Sequence, residues 1–187
     1  LHRAFDAVPR HLRLFLGTAG ALAALPVVDL AIFLLTAWCA LRWTSLHARG
    51  NPLLWTLYAG FAWLPFALLL QTLRDGAFTL TGDWALGRAP IHALGMGFFG
   101  GMLVAMVTRV TMGHSGRPLR MDRVTLACFV ALQLGAASRV LSEVVTAPAA
   151  VQWFLLGSVA LWLGAVAVWV GRVGGIDRTP RIDGKPG

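Results

Sequence analysis

The chain alternates between long hydrophobic runs and short clusters of basic and turn-forming residues. A helix that crosses about 30 Å of hydrocarbon needs roughly 20 mostly apolar residues. Four runs reach this length, at residues 52–73, 89–112, 124–145 and 151–170. The pattern therefore predicts an all-α fold, a polytopic transmembrane helical bundle.

The hydrophobic run at residues 12–43 is too long for one span and short for two, and Pro26 and Asp29 lie near its middle. Proline suits a helix break or the first turn of a new helix. A tight hairpin at Pro26 gives spans near residues 12–25 and 27–43, and six spans in all, whereas a continuous helix gives five. We expect the bundle to occupy residues 1–173 and a cytoplasmic tail residues 174–187.

The basic residues support the six-span arrangement, since Lys and Arg concentrate in cytoplasmic loops. Six spans would place twelve of the sixteen Lys and Arg residues on one side of the membrane: Arg3, Arg10, Arg13, Arg42, Arg49, Arg117, Arg120, Arg123, Arg172, Arg178, Arg181 and Lys185. Only Arg74 and Arg88 would lie on the other side. This split predicts a multi-pass protein of the bacterial inner membrane with both termini in the cytoplasm.

Composition agrees with a lipid bilayer as the main partner. Hydrophobic residues make up 57% of the chain, charged residues 13%, and the mean hydropathy is +0.70, outside the range of ordinary soluble domains. The net charge of +8 comes from residues between apolar runs and not from one soluble face, so no nucleic-acid partner is expected. Five tryptophans near span ends predict an interfacial aromatic belt: Trp43, Trp55, Trp84, Trp153 and Trp169.

The run at residues 89–112 carries the most chemistry. At about 100° per residue, His92, Met96, Leu103 and Met106 share one helix face, and Gly97 and Gly101 lie opposite. The Gly97 and Gly101 pair allows close approach of another helix or of a flat macrocycle, and we favour helix packing.

His92 lies one turn inside a span, where an ionisable side chain is costly without a partner. A cofactor ligand and an imidazole bonded to a backbone carbonyl are equally compatible with the sequence. Met96 suits soft Cu(I) or a haem edge, although methionine also fills apolar gaps.

His114 ends the same run, 22 residues or about 33 Å from His92, so the two histidines cannot share one metal. Arg109 is expected to reach the interface as an anchor, or to pair with an anionic group such as a haem propionate with help from Arg117. Arg139 and Glu143 are one helical turn apart and predict a structural ion pair.

Several separated motifs resemble the NnrS family in their order along the chain. They are residues 52–55 (PLLW) and 62–65 (AWLP), then His92-Ala93-Leu94, Arg109-Val110-Thr111, residues 113–119 (GHSGRPL) and residues 180–187 (PRIDGKPG). The first fifty residues are similar to the family only in hydrophobic character. Where the family usually has a histidine shortly after Pro-Leu-Leu-Trp, this chain has Tyr58, which can ligate ferric haem but is a poor Cu(I) ligand.

The resemblance implies an inner-membrane protein that binds haem b and copper and acts in the nitric oxide response or in protection from nitrosative stress. It implies His92 and His114 as ligands and nitric oxide as a small ligand. Typical members are about twice as long, so a missing N-terminal half or other membrane subunits are expected partners. Two alternatives stay open: a haem b electron-transfer or quinol-linked subunit, and a cofactor-free structural or assembly subunit.

Overall fold

The computed structural model describes residues 18–43 and 50–182, with side chains from residue 24 onward. This part of the chain contains helices and connecting turns and no strand. Five helices are long and apolar enough to cross a membrane: α1 (Thr18–Trp43), α2 (Pro52–Thr81), α3 (Ala89–His114), α4 (Arg123–Leu141) and α5 (Pro148–Asp177). The predicted all-α bundle is confirmed.

The predicted hairpin at Pro26 is wrong, because α1 continues through this proline as one helix. Proline removes one backbone hydrogen bond, but transmembrane helices tolerate this loss where nearby groups satisfy the freed carbonyl. The described bundle thus has five candidate spans. The first part of the predicted span at residues 12–25 lies outside the described residues. Five crossings put the two ends of the bundle on opposite sides, so a shared cytoplasmic side for both termini no longer follows.

The helices extend beyond the hydrophobic runs that predicted them. The Asn51 side chain accepts a hydrogen bond from the Leu53 amide at the start of α2, and Gly82 ends this helix in a left-handed conformation. The α5 helix continues to Asp177, into the segment predicted as a tail. Local capping groups, which hydropathy does not report, set these boundaries.

The helices pack in a sequential array in which α2 contacts α1 and α3, and α4 contacts α3 and α5. One buried cluster joins α3, α4 and α5 around Val104, Phe129 and Leu132. A second cluster joins α2, α3 and α4 around Ala67, Ala93 and Val140. Many large apolar side chains remain on the outside of all five helices, as contact with lipid requires.

Trp169 does not belong to the predicted aromatic belt. It is buried in the first cluster, and its indole Nε1 donates a hydrogen bond of 2.9 Å to the Thr108 hydroxyl. This bond joins α5 to α3 inside the bundle. The predicted positions Trp43, Trp55, Trp84 and Trp153 are exposed.

Two ends of the bundle are distinguished below. The basic end comprises residues 115–122 and 178–182, which contain Arg117, Arg120, Arg178 and Arg181. The His92 end comprises residues 82–88 and 142–147, together with the first turn of α3. Since α3 runs from one end to the other, it carries His92 and His114 to opposite faces of the bundle.

Candidate functional sites at the two ends of the third helix

His92 lies where α3 changes its winding. The helix begins with one α-helical turn, Ala89–His92, continues as a π-helix over Ala93–Gly100, and returns to α-helix at Gly101. The π-helix is rare and is often found at functional sites. The wider turn of the π-helix rotates the residues that follow it around the helix axis. The four residues predicted to share one face of an ideal α-helix therefore do not share it. His92 and Met96 are half-buried, whereas Leu103 and Met106 are exposed.

Glu143 is the main polar neighbour of His92. The His92 Nε2 atom lies 3.6 Å from Glu143 Oε1, beyond ordinary hydrogen-bond length, and this buried nitrogen has no hydrogen-bond partner among the described residues. The Arg139 Nη1 atom is 2.6 Å from the same carboxylate oxygen, which confirms the predicted ion pair. The other carboxylate oxygen accepts a 3.0 Å hydrogen bond from the Arg88 amide. Glu143 therefore connects the end of α4 to the loop that enters α3.

The loop backbone at Gly87 leaves room for this carboxylate. Gly87 has a φ angle of 45°, and a Cβ atom at this position would collide with the Glu143 side chain. Burial tends to raise the Glu143 pKa, but the Arg88 amide and the Arg139 guanidinium outweigh it and hold the pKa below its ordinary value. Glu143 is therefore an anion that glycine backbone and two donors hold beside His92.

Protein groups fill the glycine face of α3. A Cβ atom at Gly97 would collide with the Trp63 indole. A Cβ atom at Gly101 would lie 2.6 Å from Gln133 Nε2 and 3.4 Å from the Gly60 Cα atom. The Gly97 and Gly101 pair therefore packs α2 and α4 against α3, and leaves no room for a macrocycle on this face.

Tyr58 lies on α2 in the half of the bundle away from His92. The close approach of Gly60 to Gly101 fixes the antiparallel register of α2 and α3. Tyr58 is half-buried and lies two residues nearer the basic end than Gly60. The structure does not bring Tyr58 together with His92.

At the basic end, a groove of about 390 Å³ follows the last turns of α3. His114, Arg109 and Arg181 line it together with apolar side chains. Arg181 reaches this place because the chain folds back after α5, and the Ile182 amide donates a 3.2 Å hydrogen bond to the Ser115 carbonyl. A second cavity of about 340 Å³, which includes Asp177, borders His114 on the side of this returning segment.

Arg117 contacts the segment that returns after α5. Its Nη2 donates a 3.3 Å hydrogen bond to the Thr179 hydroxyl, which helps hold the returning segment. Nearby, Asp122 caps α4 through the Thr125 amide and pairs with Arg172 at 2.7 Å. Burial tends to raise the Asp122 pKa, but the hydrogen bonds from Thr125 and Arg172 hold it below its ordinary value. The basic end is thus fastened by polar contacts between α3, α4 and α5.

Within residues 18–43 and 50–182, no group of three or more His, Cys, Asp or Glu side chains is arranged to hold one metal ion. His92 and His114 lie at opposite ends of one helix, and neither faces the other. Each histidine is thus a separate ligand candidate. Cys39 and Cys128 are free thiols, and Cys128 is buried.

Comparison with protein families decides the relationship of this chain. The family model described as NnrS protein matches residues 3–181, nearly the whole sequence. The chain belongs to the NnrS family. No curated protein and no solved structure matches it.

Three segments that resemble NnrS sequences meet at the basic end of this NnrS chain. Arg109 and His114 come from α3, Leu119 from the following loop, and Arg181 from the returning segment. The family likeness suggested the first two as site residues, but sequence reasoning did not place Arg181 beside them. The sequence gives only the order of the motifs along the chain. Arg109 and Arg181 are 72 residues apart, and this separation does not predict the distance between them in the fold.

Two acidic residues of this NnrS chain were also missed. Glu143 was predicted to form an ion pair only with Arg139. The i,i+4 rule applies within one helix, so it could not predict the contact with His92 on another helix. Asp75 is buried in α2 and accepts hydrogen bonds from Gln71 at 2.8 Å and Arg74 at 3.2 Å. The signal available for Asp75 was its position directly beyond an apolar run, next to a basic residue.

Proposed function

We propose that this NnrS chain is an inner-membrane protein of the nitric oxide response that carries haem, with His92 as an axial ligand. The observation that supports this most is the buried His92 Nε2 atom, which lies 3.6 Å from Glu143 Oε1. Like the Gln133 amide, the Trp162 indole nitrogen and the Thr125 hydroxyl, it has no hydrogen-bond partner in the described part of the chain, but it is the one imidazole among these groups. Buried polar atoms nearly always have a partner, so an orphaned imidazole nitrogen in a span suits a metal ligand. Family membership supports the nitric oxide role.

The residues around His92 fit haem better than copper. A haem needs only one or two axial ligands from the protein, and His92 offers one, with Met96 a turn away on the half-buried side of α3. The described residues bring together no group of three or more His, Cys, Asp or Glu side chains around one ion, so copper at this end would depend on His92 and the soft thioether of Met96.

A haem held by His92 would supply the iron to which nitric oxide binds, and the chain's own residues would set the surroundings of that group. Trp63 and Gln133 close the glycine face of α3, so a haem at His92 would have to lie on the other side of this helix. The Arg139 guanidinium keeps Glu143 ionised and directed towards the imidazole.

The family likeness extends the proposal to a second centre at His114, with Arg109 and Arg117 as propionate partners and Tyr58 as a further ligand. His114 is exposed beside basic side chains, which suits an anionic edge, whereas Arg117 donates a hydrogen bond to Thr179 and Tyr58 is half-buried on α2. The basic end fits the cytoplasmic side by the positive-inside rule. A centre at His114 would then be cytoplasmic and one at His92 periplasmic.

The test is the absorption spectrum and metal content of the protein extracted gently from membranes. We expect a Soret band that His92→Ala removes or shifts and that the matched variant Ile91→Ala leaves unchanged, since Ile91 is exposed to lipid on the same turn. His114→Ala should remove a different spectral component if the second centre exists. A colourless, metal-free wild-type protein would contradict the proposal and leave the structural or assembly role.

The electron-transfer alternative needs histidine pairs on facing helices, and the described residues offer none. A low-spin haem that quinol reduces would support that alternative instead.

A further inference from the structure

The groove at the basic end is lined by both basic and apolar side chains. Arg109, His114 and Arg181 supply the polar groups, and Met106, Val110 and Leu119 supply the apolar wall. These apolar residues are each between 43% and 49% exposed, so the wall opens towards the lipid. The groove therefore joins a charged rim to the hydrocarbon region along the last turns of α3.

The positive charge of the groove favours binding of an anion. No acidic side chain among the described residues lines it, and Asp177 lies instead in the neighbouring cavity on the other side of His114. Two guanidinium groups on one rim can bind the oxygens of a phosphate with charge-assisted hydrogen bonds. The Ile182 to Ser115 hydrogen bond fixes the segment that carries Arg181, so the rim is built before any ligand arrives.

The apolar side chains of the groove favour an anion that also carries a hydrocarbon chain. An inorganic anion would gain nothing from Met106, Val110 and Leu119, whereas an acyl chain would bury their exposed surface. Basic pockets beside transmembrane helices are typical sites for anionic lipid headgroups. The matching partner has a phosphate at the interface and an acyl chain that extends into the bilayer.

We propose that the groove formed by Arg109, His114, Arg181, Met106, Val110 and Leu119 binds an anionic phospholipid. Its phosphate lies between the two arginines, and its first acyl chain lies on the apolar wall. The groove includes Arg109 and His114, so a lipid bound there takes the place of a second haem centre at His114, whereas His92 lies at the other end of α3. It would anchor the returning segment to the membrane surface.

The test uses the full chain in nanodiscs of phosphatidylcholine with and without phosphatidylglycerol, with bound lipid counted by native mass spectrometry. We expect phosphatidylglycerol to be retained preferentially. The double variant Arg109→Gln with Arg181→Gln should weaken this binding about twenty-five-fold, since each arginine near an anionic headgroup contributes about a factor of five. Arg120→Gln removes the same charge from the same end outside the groove and should change binding little.

Two further measurements distinguish a lipid site from a free-phosphate site and from general misfolding. The double lysine variant keeps the charge and should keep most of the lipid preference, and circular dichroism checks that each variant is folded. Inorganic phosphate at the same concentration should not displace the lipid. The proposal is overturned if the double glutamine variant binds phosphatidylglycerol like the wild type or if free phosphate competes equally. It is also overturned if this variant keeps its lipid but loses the Soret component that His114→Ala removes, because the groove would then hold haem.

Discussion

Replacement of Glu143 by Gln tests the connection between α4 and the loop before α3. The change keeps an oxygen that can accept the Arg88 amide, but it removes the charge that pairs with Arg139. Hydrogen bonds to charged groups contribute about 1.5–3 kcal/mol, and the carboxylate is only 18% exposed, so screening by water is limited. We expect a loss of about 2 kcal/mol for Glu143→Gln, and about 3 kcal/mol for Glu143→Ala.

The lowered Glu143 pKa predicts the direction in which stability changes with pH. The Glu143 pKa in the folded chain lies below its ordinary value of 4.5, so the ionised form stabilises the fold. This contribution is fully present above about pH 4.5 and is lost as the pH falls through the lowered pKa. Wild type should therefore lose more stability than Glu143→Gln between pH 6 and pH 3.

The assay is thermal unfolding of the detergent-solubilised protein, followed by tryptophan fluorescence at several pH values. A loss of about 2 kcal/mol corresponds to a decrease in Tm of roughly 4–8 °C for a chain of this size. Asp83→Asn is the matched control, because Asp83 is an exposed acid in the same loop. The reasoning is refuted if Glu143→Gln melts at the wild-type temperature, or if its pH profile stays parallel to that of the wild type.

Three further substitutions test the packing of the bundle. Trp169→Phe should cost about 1–3 kcal/mol, because it removes the hydrogen bond to Thr108 and leaves a buried space; an unchanged Tm would contradict the buried position of Trp169. Gly97→Val should lower Tm through collision with Trp63, and Trp63→Ala should restore part of the loss; absence of this rescue would mean that the two do not touch. Asp122→Ala removes a helix cap and should cost about 1 kcal/mol at pH 7, with a smaller effect below the lowered Asp122 pKa, measured by the same thermal unfolding.

Hydrophobic length and local spacing predict much of this fold. The runs at residues 52–73 and 89–112 identify two helices because lipid imposes a minimum span on any sequence. The Arg139 and Glu143 pair was predictable because both residues belong to one helical turn. Pro26 could not be interpreted in the same way, since a proline is compatible with a hairpin and with a continuous transmembrane helix.

The candidate sites depend on contacts that no local rule reports. His92 and Glu143 meet because α3 and α4 cross at the His92 end, and Gly87 allows the carboxylate to enter. The π-helical segment also changes the angle between His92 and Arg109 around the helix axis. A helical wheel drawn at 100° per residue therefore assigns the second half of α3 to the wrong face relative to the first half. Sequence motifs identified residues of interest but not their neighbours.

The return of the chain onto Ser115 has a consequence for biosynthesis. Arg109 and His114 are in the membrane after α3 is inserted, but Arg181 is translated only after α5. The groove at the basic end can therefore form only once all five described helices are in place. A chain that stalls after α4 would contain both histidines of α3 and still lack this groove, so an intact groove shows that α5 has been inserted.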